Sequence, residues 1–445
     1  MTPPDSLAPR RRNSLKAIFG GLLAAKHTNG LVRWTYSYLT RSDIPLPAST
    51  KPVARPARSR QGPSGRANPL VLMAGPTLNA DGAPLSQFEL AAGLSGSGIG
   101  VEIAAAVDGA LHARYQQQSI PVSIPPELSC NLFVPAWYEA DVQRLADLLR
   151  QRRLDLVMAS TVDVFPLVDA ARIAGIPSVW NIRESEPWRI RLSHLHPLIA
   201  SRALACFSYP EAVIFVARAS QAAWSAFVPP ERAHVIYNAP HPSLLSAPTV
   251  EPKIPSAIAA TAGKTLIINV GTLCERKGQL DLAQALSTLP PDVLQRLHVA
   301  FIGRSEGDYQ ANLQRALSPA AATVCVFPGP VNGAAEIIRA ADILVHTARS
   351  EAFPRVLLEA AVMRTPIIAT AVDGAPERLT DGESALLYKP GDTAALADAL
   401  CRLLAEPDLR DRLQAGAYDG LVASYTFEDM LKAYRVRLDA AIAAR

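Results

Sequence analysis

The chain has 445 residues, 49% of them apolar and 19% charged, with a formal net charge of +4. At roughly 100–200 residues per domain, that length implies two or three cores rather than one, and no apolar run reaches the ~18 residues that a membrane span requires. Residues 1–68 carry twelve Lys/Arg against two Asp, a charge of +10, which leaves −6 on the rest; a nucleic-acid binder carries its basic excess on the folded body, so nucleic acid is not an expected partner.

From Arg10 to Asn68 the chain is basic and, from Pro45, rich in proline. Leu15, Ile18, Phe19, Leu22 and Leu23 follow helical spacing beside Lys16 and Lys26, and Trp34, Tyr36 and Tyr38 come next. Three readings stay open: an interfacial helix on anionic lipid, a tail or helix packed on the body, and a transit peptide poor in acids. Pro45–Pro69 reads as a flexible or extended linker.

After Asn68, β-rich runs alternate with Ala/Leu-rich helical stretches. The first set is Leu70–Ala74, Val101–Val107, Asp155–Ala159, Ser178–Ile182, Val213–Ala217 and His234–Tyr237. The second is Leu266–Val270, Val299–Gly303, Thr323–Phe327, Asp342–His346, Ile367–Thr370 and Ala385–Tyr388, and the Pro-rich stretch Pro240–Pro255 divides the two. Such alternation predicts an α/β chain with two parallel, helix-wound sheets. Phe427, Met430, Leu431, Tyr434, Leu438 and Ile442 keep helical period at the end. The expected division is a leader and linker at 1–68, Rossmann-like domains at 69–239 and 240–424, and an amphipathic helix at 425–445.

Five cysteines (Cys130, Cys206, Cys274, Cys325, Cys401) form no close pair and no metal spacing, and the chain has no HExxH, CxxC or Walker loop. No metal or cofactor is expected. The odd cysteine count and the lack of an N-x-S/T sequon fit a reducing, cytoplasmic setting. His194, His196 and His346 have no visible partner and are read as structural.

In the first half, Leu70–Ala74 leads into a loop Gly75–Pro84 and then a helical run from Leu85; Gly82 and Ala83 there permit close approach of a ligand, or form a plain βα turn. Gly93, Gly96, Gly98 and Gly100 precede a strand rather than follow one, the wrong order for a dinucleotide fingerprint. Asn181–Glu186 (NIRESE) closes a strand, with Arg183 and Glu184 as candidates for ligand contact or for local ion pairing.

In the second half, the strand Leu266–Val270 ends at Gly271-Thr272, and Arg276-Lys277 precede an expected helix start near Gly278. A basic residue at such a strand-to-helix loop can neutralise a departing diphosphate; a surface pair is the plain alternative. Gly303-Arg304 lies at another strand end. The richest stretch is Ser350–Pro366, SEAFPRVLLEAAVMRTP. Pro354 suits the first helical position, which leaves Glu351 in the loop before the helix and Glu359 in its second turn. The N–H groups of that first turn favour an anion. Two carboxylates flanking it can accept hydroxyls on either side of a phosphate, the layout of a nucleotide sugar.

This stretch resembles the E-x7-E motif of family-4 retaining glycosyltransferases. Asn269–Gln279 (NVGTLCERKGQ), Asp342–His346 (DILVH) and Pro366–Glu377 (PIIATAVDGAPE) are similar to the family's Gly-rich turn with its basic pair, its strand before the glutamates, and the loop after them. The resemblance covers Leu266–Pro390 and is looser before it. It implies a GT-B fold: two Rossmann-like domains facing a central cleft, with a terminal helix that often crosses back to the first. It implies Glu351 on the donor sugar, Glu359 on the ribose, Lys277 with Arg276 on the diphosphate, and backbone N–H groups of Arg355, Val356 and Leu357 on phosphate. Gly271, Thr272, Phe353, Pro354, Gly303 and Arg304 complete the donor site, with Phe327–Val331 beside the base. Gly82, Ala83, Arg183 and Glu184 fall on the acceptor side. Members often have Arg where this chain has Thr272.

The expected function is transfer of a sugar from a nucleotide-diphosphate sugar to a glycan, lipid-linked or small-molecule acceptor, with retained configuration. The leader would place the protein peripherally at an anionic, cytoplasmic membrane face, in polysaccharide biosynthesis. Two alternatives remain: a 2-epimerase-like GT-B enzyme, and a catalytically degenerate binding scaffold in glycan assembly.

Overall fold

The computed structural model describes residues 68–246, 254–259, 263–331 and 333–444, so the expected leader helix lies outside the described residues. The chain forms two compact units.

The first unit is built on a seven-stranded sheet: β1 (Leu70–Thr77), β2 (Gly100–Val107), β3 (Val122–Ser123), β4 (Leu156–Ser160), β5 (Ser178–Ile182), β6 (Ala212–Phe215) and β7 (Ala233–Val235). All pairings are parallel, in the order β3-β2-β1-β4-β5-β6-β7. Strands covered on both faces read as near-continuous apolar runs, and β4 and β5 are buried along their whole lengths. The helix Pro135–Gln151 opens on a proline, whose missing N–H would be unbonded there anyway. A stack of Trp180, Phe207 and Trp224, with ring centroids 4.4 and 4.9 Å apart, fills the core beside β5. The terminal helix Phe427–Ala443 belongs with this unit from Leu431 onward. There Tyr434 lies against Asn181 and Arg183.

The second unit carries six parallel strands: β8 (Thr265–Val270), β9 (Leu297–Ile302), β10 (Cys325–Gly329), β11 (Ile343–His346), β12 (Ile367–Thr370) and β13 (Leu386–Tyr388). Their order is β10-β9-β8-β11-β12-β13. Both sheets reverse direction of growth beside their first strand, between β1 and β4 and between β8 and β11. Ligands of such sheets bind outside the carboxyl ends at that switch point. The twelve expected strands all form, with ends that differ by at most three residues. The unexpected strand, β3, is two residues long between Pro121 and Pro125, too short to show a period.

One device repeats at both switch points. The carboxylate of Asp155, just before β4, accepts from Leu70 N at the start of β1 (2.9 Å), and Asp155 N donates back to Leu70 O. Asp342, just before β11, does the same with Leu266 N (2.7 Å) and Leu266 O. Each aspartate fixes the register of two neighbouring strands from their amino ends. Asp155 is 3% exposed, so its loss would orphan a backbone donor. Asp155→Ala is expected to lower stability by about 1–3 kcal/mol, more than Asp342→Ala does, as read from urea midpoints.

Candidate functional site

The site is built where β8 and β11 end. Asn269, a polar residue inside apolar β8, is 3% exposed. Its amide donates to Val345 O (2.8 Å) and to Thr347 Oγ1 (3.1 Å). The Thr347 hydroxyl in turn donates to Lys277 O at 2.7 Å. Arg349 N donates to Arg276 O at 2.8 Å. The short 3-10 turn Glu275–Lys277 is thereby clipped to the end of β11. Gly278 closes the turn at φ 63, and a Cβ there would lie 2.3 Å from Thr347 O, so only glycine fits. The helix Gln279–Thr288 follows.

Three charges converge here. Glu351 Oε2 accepts from both Lys277 Nζ and Arg276 Nη1, the latter at 3.1 Å. Burial by itself raises the Glu351 carboxyl, but the Lys277 ammonium and Arg276 guanidinium outweigh it and bring it down to about 2. Arg276 also donates to Ser350 O. His346, at the end of β11, is 5% exposed, and neither ring nitrogen has a hydrogen-bond partner among the described residues. Burial first, then the nearby Lys277 charge, depresses it to about 3, so the imidazole is neutral at physiological pH. One helical turn further, Arg355 Nε donates to Glu359 Oε1 at 2.9 Å.

The glutamate loop is held from behind. Asp373 accepts from Glu351 N (2.7 Å) and Ser350 Oγ (3.0 Å), and it sits at φ 46, a conformation that costs energy for a residue with a Cβ. Gly374 presses on the same loop, where a Cβ would meet Ala352 O at 2.0 Å. Asp373, Thr347 and Asn269 position the charged groups and were not singled out from sequence. The signals available were an Asp-Gly pair after a strand and a polar residue within an apolar one.

Several expected placements change. Pro354 is the N-cap of the helix Arg355–Met363, with extended backbone (φ −74, ψ 124), rather than its first residue. The Phe353 and Leu357 side chains are buried in the core with 5% and 0% exposure, and Leu357 N donates to Pro354 O at 3.2 Å. Val356 and Val331 pack against the same core cluster. Gly271 and Gly303 abut at the strand ends, since a Cβ on Gly303 would lie 2.0 Å from Gly271 O. Thr272 O accepts from Gln279 Nε2, and Arg304 is exposed. Gly82 and Ala83 lie in the first turn of the helix Gly82–Gly96, not in the preceding loop, because the helix starts right after Asp81.

At the first unit's switch point, Thr161 follows β4 at φ 76, ψ 158, a strained backbone for a β-branched residue. The hydroxyls of Ser160 and Thr161 are buried without a hydrogen-bond partner among the described residues. Glu184, 11% exposed, accepts from Val162 N (3.1 Å) and Arg183 N (3.0 Å) and faces Arg191 at 3.7 Å. Its main-chain carbonyl also accepts from Ser220 Oγ and Trp224 Nε1. Burial raises its carboxyl to about 7, against the lowering pull of Arg191 and with a further push from Asp163. Among the described residues no cluster of three His, Cys, Asp or Glu could hold a metal ion. No helix among them is long and apolar enough to cross a membrane.

The family signature described as Glycosyltransferase Family 4 matches residues 80–243, and that described as Glycosyl transferases group 1 matches 250–420. The chain belongs to the family-4 glycosyltransferases. A D-inositol 3-phosphate glycosyltransferase of Stackebrandtia nassauensis is 34% identical over 34% of this chain and 36% of its own length. The lipopolysaccharide core biosynthesis glycosyltransferase LpsE of Rhizobium meliloti is 27% identical over 39% of this chain and 49% of its own. The chain thus spans about a third to a half of these curated relatives. Among solved structures, Anabaena HepE in complex with UDP and glucose superposes with a TM-score of 0.69 at 21% identity, covering 83% of this chain and 99% of that one. WaaG, a glycosyltransferase involved in lipopolysaccharide biosynthesis, gives 0.64 at 18%, covering 82% and 98%. At those identities the likeness shows the fold, which is GT-B.

For this family-4 chain, the raised Glu184 carboxyl has a consequence in solution. Its folded value of about 7 exceeds the ordinary 4.5, so its stabilising contribution is full below about pH 4.5 and lost as pH rises through 7. Glu184→Gln keeps an acceptor oxygen and removes the ionisation. Urea titrations at pH 5 and pH 8 should show the wild type losing more stability than the variant over that interval.

Proposed function

We propose that the chain is a retaining glycosyltransferase that draws its sugar from a nucleotide-diphosphate donor bound at the carboxyl ends of β8 and β11. The observation that carries this reading is the convergence of Lys277, Arg276 and Glu351 beside the start of the Arg355 helix, with Glu359 one turn inside it. A diphosphate needs cations and N–H donors, while a sugar and a ribose need carboxylate acceptors. Both kinds of group are present here, which supports a nucleotide-sugar reading of the site.

Lys277 and the helix N-terminus would stabilise the diphosphate as it departs. Glu351 would orient the sugar and Glu359 the ribose. Glu351, held ionised by its cations, is suited to accept hydrogen bonds and poorly suited to move a proton near neutral pH. The acceptor, a glycan, lipid-linked or small molecule, is assigned to the first unit, where Ser160, Thr161 and Glu184 gather polar groups. Cationic side chains fill the part that a metal plays elsewhere, so no metal is invoked. The relative named for lipopolysaccharide core biosynthesis supports an envelope-glycan acceptor, and those named D-inositol 3-phosphate glycosyltransferases support a small-molecule one. The basic stretch 1–68 supports a peripheral place on an anionic, cytoplasmic membrane face. The scaffold alternative draws on Thr272, which stands where members often carry Arg.

A nucleotide-sugar panel scored for nucleotide release tests the reading, and turnover is expected to survive EDTA. Lys277→Ala and Glu359→Ala should each weaken nucleoside-diphosphate binding by about 1.5–3 kcal/mol in calorimetry. NMR of the product's anomeric proton should show the donor's configuration; an inverted product ends the retaining assignment, and binding without any release points to the scaffold. For the membrane reading, the full chain should sediment with anionic vesicles, not with neutral ones, and salt should weaken the association.

A further inference from the structure

Two groups assigned to different parts of the donor are bound to each other. Lys277, proposed for the diphosphate, and Glu351, proposed for the sugar, form an ion pair, with Arg276 on the same carboxylate oxygen. The pair is mostly withdrawn from water, with 17% of the Lys277 side chain and 21% of the Glu351 side chain exposed. Screening is weaker there than at an open surface, so the attraction is felt.

The backbones at both ends of this pair are fixed. Lys277 O is held by the Thr347 hydroxyl, and Gly278 behind it admits no side chain. Glu351 N is held by Asp373, Ser350 is held by the same carboxylate, and Gly374 locks against Ala352 O. Exchange of partners therefore falls to the two side chains, by rotamer changes alone. Lys277 has one ammonium, and a bound diphosphate competes with Glu351 for it. When the diphosphate wins, Glu351 keeps Arg276 but loses the Lys277 ammonium, and it stands near a second anion. That state is costlier than the paired one unless donors replace the lost ammonium. The hydroxyls of a sugar attached to the diphosphate are such donors at Glu351; a nucleoside diphosphate, whose ribose hydroxyls are assigned to Glu359, brings none there.

We infer that Glu351 discriminates the loaded nucleotide sugar from the spent nucleoside diphosphate by competing with the diphosphate for Lys277. This rests on the donor-site reading above and deepens it. While the sugar is present, Glu351 is occupied and Lys277 is released to the phosphates. Once the sugar has left, Glu351 returns to Lys277 and weakens the hold on the product. The carboxylate that orients the sugar thus also opposes retention of the diphosphate.

The test is a double-mutant cycle on the full chain, read by calorimetry with UDP, GDP and ADP and followed on whichever binds. Glu351→Gln removes the competing charge at the same shape, and Glu351→Ala removes the acceptor as a second variant should the first fail to fold. Either should bind the nucleoside diphosphate roughly three- to tenfold more tightly than the wild type, and the gain should vanish in a Lys277→Met background. If Lys277→Met weakens binding but neither Glu351 variant tightens it, the competition does not exist and the donor site stands without it. If Lys277→Met leaves affinity unchanged, or none of the three nucleotides binds the wild type, the donor-site reading itself falls and this inference with it.

Discussion

The hydrogen bond from the Thr347 hydroxyl to Lys277 O is the contact on which the arrangement of the site depends. It ties the loop after β8 to the loop after β11, two segments 70 residues apart in sequence. Asn269 orients the hydroxyl from below, since the Thr347 oxygen can accept from the amide while it donates to the carbonyl. A threonine and an asparagine buried at 1% and 3% exposure are tolerable because the Asn269 amide nitrogen and the Thr347 hydroxyl are engaged. The result is a lysine whose main chain is pinned at its carbonyl.

The two units reach the same geometry by the same means. In each, a parallel sheet grows outward in two directions from its first strand, and an aspartate at the amino end of the neighbouring strand locks that first strand in register. The carboxyl ends are then free to carry whatever the loops supply. In the second unit they carry opposite charges already paired with each other. In the first they carry a strained threonine, two hydroxyls without a partner among the described residues and a carboxyl that burial keeps protonated well above its usual range. One site sets opposite charges against each other, and the other gathers neutral polar groups.

Much of this was legible in the sequence for physical reasons. Strands buried on both faces must be apolar throughout, so β4, β5, β11 and β12 stood out as runs. Glu351 and Glu359 were legible because a proline between them marks a helix start. What could not be read was which way the side chains of that stretch face: Phe353 and Leu357 turn to the core, as periodicity along so short a helix does not separate pocket from core. Asp373 was missed because its role lies in a contact with residues 22 and 23 positions earlier. The extension of the helix to Gly82 was missed because glycine and alanine beside a loop read equally well as its end.

The terminal helix places a demand on how the chain is made. From Leu431 onward it belongs to the first unit, where Tyr434 rests against the end of β5, while the whole of the second unit intervenes in sequence. During synthesis the amino-terminal sheet therefore emerges early but waits for the residues from Leu431 onward before that part of its surface is covered. The second unit has all of its own strands available sooner after it emerges. A chain stalled or cut shortly before Leu431 would hold a second unit with its sheet complete and a first unit still missing this helix, so residues that follow the second unit decide when that part of the amino-terminal half is finished.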